Sequence, residues 1–214
     1  RPGGMQGLRM APSGLSATKR AAVATVSMEV KLYGSQGSRS PLVNWYLHET
    51  DTKYTMADRA MNPHPFGQIP CLKDGDGPAI FESGAILTYL AHKCGGKEGG
   101  QMEPDELAAV TPWIVWANSA LDPICFVENE RGQVIGCGIE ANPKGIQVLE
   151  SILSKQDYLL GDQFSVADVA VASYLLYVPQ FFGDRVNMDR WPGISAYMLR
   201  CASRPGYAQA YERE

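Results

Sequence analysis

Behind Ser165-Val166-Ala167-Asp168 the chain runs from Val169 to Val178 with hardly a polar side chain. Ser165 and Asp168 have the spacing of a capping box, in which each side chain satisfies the other's orphan backbone N–H, so the run is read as a helix. Being apolar on all sides, that helix must sit at the centre of a helical domain. The apolar stretch Val166 to Pro179 is broken by Asp168 and is shorter than the ~20 residues a bilayer span requires, so no transmembrane segment is expected. A length of 214 residues, 45% hydrophobic and 20% charged, suffices for one large domain or two small ones sharing an interface.

Charge and cysteine usage narrow the classes further. Of the 19 basic residues, Arg1, Arg9, Lys19 and Arg20 lie in residues 1–28, which contain no acid; residues 29–214 therefore carry 15 basic against 23 acidic groups. Such a body repels nucleic acid, whose recognition needs a positive surface. The five cysteines, at 71, 94, 125, 137 and 201, are odd in number and never spaced CxxC, which argues against a disulfide framework, a zinc knuckle or a dithiol motif and for a reducing compartment. Residues 1–28, rich in Gly, Ala, Ser and Pro, read as a transit-peptide-like remnant or a partner-binding arm, and the Arg at position 1 reads as a sign of processing or truncation. The expectation attached to this arm is contact with another chain.

From Glu29 onward the pattern reads strand, helix, strand, strand, strand, helix. Val30 to Tyr33 is a strand, and Pro41 to His48 a helix with Ser40 as N-cap. A weak strand follows near Lys53 to Ala57. Ile69 to Lys73 and Ala79 to Phe81 flank Asp74-Gly75-Asp76-Gly77, a hairpin signal. Ser83 opens a helix with Ile86, Leu87, Leu90 and Ala91 on one face. These residues predict a mixed four-stranded sheet over 29–96, a glycine-rich linker at 97–102, and an all-helical domain over 103–214. In the latter, helices are expected at Pro104 to Ala117, around Ile146 to Leu153, and at Pro192 to Ala202.

Generic sites are absent from the sequence. Gly136-Cys137-Gly138 lacks the third glycine of a dinucleotide loop, His48, His64 and His92 form neither a zinc triad nor an HExxH pair, and no metal is expected. What remains is Tyr33-Gly34-Ser35-Gln36-Gly37-Ser38-Arg39-Ser40-Pro41, then Phe66-Gly67-Gln68-Ile69-Pro70, then Phe81 to Leu90 around Glu82-Ser83-Gly84. With Leu160 to Asp168 and Arg204-Pro205-Gly206-Tyr207, these motifs resemble, in order and over about residues 29–211, the cytosolic glutathione transferase superfamily. The serine-type, cyanobacterial and plastid-like branch is the one they are most similar to.

That resemblance implies an α/β thioredoxin-like domain followed by an all-α domain, agreeing with the pattern reading, and glutathione as co-substrate. It implies Ser38 as the catalytic hydroxyl, donating to the glutathione thiolate, with Ser40 left to cap the helix. A charge-assisted hydrogen bond and a helix N-terminus together would lower a thiol pKa of about 8.5 by roughly one to three units. Ile69-Pro70 is implied to be a cis-proline turn whose Ile69 backbone pairs with the cysteinyl unit. Glu82 and Ser83 are implied to hold the γ-glutamyl group, and Gln68 the glycyl end. Cys71 reads as a small buried hydrophobe. The chain departs from the family between the second strand and Phe66, where Asp58 to Pro65 is too short for the usual helix; Arg59 or His64 would have to substitute. Trp113, Trp116 and Phe126 are the candidate walls of a pocket for a small apolar electrophile or peroxide.

Three readings of function stay open on the sequence. One is a glutathione transferase. The others are a pigment-binding module without turnover and a structural subunit recruited through residues 1–28 into a plastid assembly. The plastid stroma, with the cytoplasm as alternative, is the expected location, and a second copy of the chain is a candidate partner.

Overall fold

The computed structural model describes residues 29–183 and 185–211; the basic arm, and the expectation of contact with another chain attached to it, lie outside the described residues. The first half is built from β1 (Val30–Tyr33), α1 (Ser40–Glu49), β2 (Tyr54–Met56), β3 (Cys71–Asp74), β4 (Ala79–Phe81) and α2 (Ser83–Cys94). The sheet order is β2-β1-β3-β4, with β1 parallel to β2 and antiparallel to β3, and β4 antiparallel to β3. Val30 pairs with Tyr54, and Leu32 with both Met56 and Leu72. Two parallel strands need a crossover, which α1 supplies; two antiparallel ones need only a tight turn, which Asp74 to Gly77 supplies. In that turn Gly77 N–H donates to Asp74 C=O at 3.0 Å.

The second half contains α3 (Pro104–Trp116), a π-helical turn (Ala117–Leu121), α4 (Asp122–Cys125), α5 (Lys144–Leu153), α6 (Val166–Phe182), α7 (Pro192–Ala202) and α8 (Pro205–Tyr211). Every residue of α6 from Val166 to Val178 is buried, as an all-round apolar helix must be. Its capping box is present: Asp168 Oδ2 accepts from Ser165 N–H at 2.8 Å, and Ser165 Oγ from Ala167 N–H at 3.2 Å. The other Asp168 oxygen accepts from Leu159 N–H at 2.9 Å, tying the preceding loop to the same carboxylate. No helix of the described residues is long and apolar enough to cross a membrane.

This half is helical with one departure from the expected all-helical pattern, a hairpin of β5 (Val127–Glu128) and β6 (Val134–Gly136). Its cause is local. The Asn129 side chain accepts from the N–H groups of Arg131 at 2.9 Å and Gln133 at 3.0 Å, closing a turn between the β-branched Val127 and Val134.

The two halves share one core. α1 is buried along Ser40 to Leu47, and its Trp45 ring packs against Phe164 and Tyr207 with centroids 5.8 and 5.1 Å away. Trp45 Nε1 donates to Glu49 at 2.9 Å, and Glu49 receives both guanidinium arms of Arg204 at 2.9 and 2.6 Å. The Arg204 guanidinium also lies 3.7 Å from the Phe164 centroid. This knot fixes α8 against α1.

Candidate active site

Gln68, Ile69, Pro70, Glu82 and Ser83 line one cleft of about 450 Å³. The Ile69–Pro70 bond is cis, and among the described residues no backbone hydrogen bond engages the Ile69 N–H or C=O. Glu82, which precedes α2, holds φ +68° and ψ +121°. A residue with a Cβ adopts this sparsely populated conformation at a cost of about 1–3 kcal/mol, a cost that clusters at functional positions.

Across the cleft stand Arg39, Asn118, Asp122 and Tyr174. Of these, only Arg39 lies in a motif the sequence singled out. Asn118, in the π-helical turn, and Asp122, the first residue of α4, are four apart and both reach this wall. That pair of polar positions is the one trace the sequence carries of this wall. With its amide oriented so that both ends are satisfied, Asn118 Oδ1 accepts from Ser83 Oγ at 3.0 Å and Gly84 N–H at 3.3 Å, and its Nδ2 donates to Ile114 C=O at 3.2 Å. A Cβ at position 84 would lie 3.1 Å from Asn118, tighter than an ordinary contact, so a side chain there would press on this bond.

Arg39 Nη2 donates to Asp122 Oδ1 at 2.6 Å, and its guanidinium lies 4.6 Å from the Phe126 centroid. Its Nε is buried without a partner. Burial works against the Arg39 charge, but Asp122 outweighs it and the pKa rises. Burial likewise pushes the Asp122 carboxyl up, Arg39 pulling it back only in part. Burial also pushes the Tyr174 phenol up, so this wall presents a neutral tyrosine beside a permanent cation.

The structure corrects the reading of the two serines before α1. Ser40 was expected to cap the helix; instead it is the first helical residue, 1% exposed, and its Oγ accepts from Ser35 N–H at 3.1 Å. The hydroxyl that takes the helix's first N–H is that of Ser38, which accepts from Ser40 N–H at 3.0 Å. Ser38 Oγ also donates, to Ser35 C=O at 2.8 Å or to Ser40 Oγ at 2.7 Å. The physical reason is spacing: a serine hydroxyl closes most readily on the N–H two residues ahead. Ser38 precedes Arg39 in the loop entering the cleft and is not itself among the lining residues.

Asp58 to Pro65 forms a single 3₁₀ turn, Arg59–Met61, in place of a longer helix. Of the two proposed substitutes, His64 lines the cleft and Arg59 does not. His64 is 7% exposed, and its Nδ1 accepts from Phe66 N–H at 3.1 Å, so the neutral ring carries its proton on Nε2. Cys71, after Pro70, is fully buried, and burial pushes its thiol up.

Trp113 and Trp116 do not reach this cleft. They line a separate apolar hollow of about 380 Å³ with Lys144, Val148 and Leu149, because α3 turns its aromatic face toward α5. Phe126 does lie beside the cleft, under Arg39 and 5.8 Å from the half-exposed Phe181 ring.

Residues 28–92 match the family model described as "Glutathione S-transferase, N-terminal domain", and residues 133–205 the one described as "Glutathione S-transferase, C-terminal domain". The chain is 31% identical over 166 residues to a glutathione S-transferase of Hyoscyamus muticus, covering 70% of this chain and 76% of that one. To glutathione S-transferase 1 of Zea mays it is 34% identical over 157 residues, covering 66% and 71%. Among solved structures, the glutathione transferase URE2P8 from Phanerochaete chrysosporium with oxidized glutathione superposes with TM-score 0.69 over 88% of this chain and 96% of that one, at 22% identity.

Proposed function

The chain belongs to the glutathione S-transferase family, and from this we propose that it holds glutathione, its co-substrate, in the cleft between the Ile69–Pro70 turn and the start of α2 and activates the thiol there. The observation that carries the reading is the convergence of Gln68, Ile69, Glu82 and Ser83 on one cavity. The unengaged Ile69 N–H and C=O suit the cysteinyl unit, added as a short strand. Ser83 and the first N–H groups of α2 suit a carboxylate, and Glu82 the adjacent ammonium of the γ-glutamyl group. At the other end, Gln68 and the Nε2–H of His64 suit the glycyl carboxylate. Ser38 is the group assigned to the thiolate: its hydroxyl turns from Ser35 or Ser40 to donate to sulfur, with the Arg39 charge alongside. The thiolate then attacks the electrophilic centre of a small apolar substrate, forming the carbon–sulfur bond as the leaving group departs; with an organic hydroperoxide it attacks the terminal oxygen, the O–O bond breaks to release the alcohol, and the resulting glutathione sulfenic acid condenses with a second glutathione thiol to give the disulfide and water. Phe126 and Phe181 give that substrate an aromatic wall.

A second reading, a binding module without turnover, draws on one observation: the Ser38 hydroxyl already satisfies local partners. A plastid assembly as its setting rests on the composition of residues 1–28 alone. Ser38→Ala separates the two. If Ser38 serves the thiolate, the variant loses about ten- to a hundredfold in kcat/KM while its glutathione Kd stays within about twofold of the parent. Equal activity in variant and parent would remove Ser38 from catalysis. Failure of the parent itself to turn over, with glutathione still bound, would favour the binding module.

A further inference from the structure

A second cavity, about 600 Å³, shares no lining residue with the cleft. It opens where α1 and α2 both end and α6 begins. Two helix C-termini bring partial negative charge to it. Three carboxylates, Glu49, Asp51 and Glu98, line it against one cation, Arg204. Arg204 is already spent on both Glu49 oxygens, and neither Asp51 nor Glu98 has an ion-pair partner among the described residues. The start of α6 adds partial positive charge, but the Asp168 carboxylate and the Ser165 hydroxyl of its capping box already accept from N–H groups there, so Asp51 and Glu98 leave the cavity net negative.

Its floor holds a polar group lacking a partner. Tyr46 is 4% exposed and lines the cavity, and its hydroxyl makes no hydrogen bond among the described residues. A Cβ at Gly95 would lie 2.4 Å from the Tyr46 Oη, so the glycine keeps the space before that hydroxyl open. The hydroxyl opens onto the cavity with no protein partner among the described residues, so a ligand there can bond it without breaking an internal hydrogen bond. Met102 and Val166 supply apolar wall in the same cavity. An anion is excluded by the charge, and a neutral apolar molecule would leave Asp51, Glu98 and Tyr46 unused.

We propose that this cavity binds an aliphatic diamine or polyamine, one ammonium donating to Tyr46 Oη, its methylene chain along Met102 and Val166, and a second ammonium held by Asp51 and Glu98. The site is independent of the glutathione cleft, and so is its test. Calorimetric titration of the full chain with putrescine and spermidine, in the presence and absence of saturating glutathione, should show saturable binding that weakens with salt and is unchanged by glutathione. Tyr46→Phe should weaken binding about three- to tenfold while leaving the unfolding midpoint equal or higher, because the hydroxyl loses no internal bond. Asp51→Asn with Glu98→Gln should weaken it at least as much. The proposal is overturned if neither amine binds, if the variants bind as the parent does, if glutathione displaces the amine, or if Tyr46→Phe destabilises the fold.

Discussion

Arg39 is where the chemistry of the cleft and the stability of the fold meet. It follows the proposed thiolate donor in sequence, yet its strongest contact is with Asp122 of the other half, and it covers Phe126 as well. The pair's side chains are 32% and 26% exposed, between the surface case, worth about 0–1 kcal/mol, and the buried case, where losing one partner costs about 3–5. Asp122→Ala should therefore destabilise the protein by about 1–3 kcal/mol in denaturant unfolding; a loss below about 0.5 would mean that solvent screens the pair. Neither Asp122 nor Tyr174 was legible beforehand as a cleft residue. Gln68, Ile69, Pro70, Glu82 and Ser83 were, because each sits in a short contiguous motif that resembles the family's and the resemblance implied their roles. Arg39, Asn118, Asp122 and Tyr174 come from separate elements and meet only when the helical half docks. The hydroxyl that takes the first helical N–H is that of Ser38 and not the expected Ser40, a choice set by the two-residue spacing of the contact, which composition cannot register.

Among elements, the β3–β4 hairpin is held by more than its turn. Asp74, 3% exposed at the end of β3, accepts from Tyr89 and Lys93 of α2, so the hairpin is clamped to the helix that starts at the cleft. Burial pushes the Asp74 carboxyl up, but the bonds from Lys93 and Tyr89 outweigh it and hold the pKa below the ordinary 3.8. The folded pKa being lowered, this stabilisation is complete above the unfolded value and is lost as pH falls through the folded one. Stability measured from about pH 5 to about pH 2 should thus fall more steeply in the parent than in Asp74→Asn, which starts lower at neutrality. Parallel profiles would show that the clamp does not favour the ionised carboxylate. The hairpin itself was readable from Asp74 to Gly77, and α6 from its capping box and apolar run, since both signals are local. The β5–β6 hairpin was not, because strands of two and three residues carry no usable period, and the turn between them is closed by Asn129 through both its backbone and its side chain.

Taken whole, the molecule makes its cleft at the seam between an α/β half and a helical half, and each side is incomplete alone. Ser83 needs Asn118, Arg39 needs Asp122, and Tyr177 Oη donates to Ser38 C=O at 3.3 Å across the same seam. The Trp45–Glu49–Arg204 knot fixes the seam from the far end of α1. The existence of the two halves followed from periodicity; their docking did not, because it depends on polar contacts between residues far apart in the chain. The central claim is that this seam ionises the thiol of bound glutathione. Ultraviolet absorbance of the thiolate, followed against pH with the protein saturated in glutathione, measures that directly. The midpoint should lie about one to three units below the ~8.5 of a free thiol and move back toward it in Ser38→Ala; a parent midpoint at the free-thiol value would contradict the account.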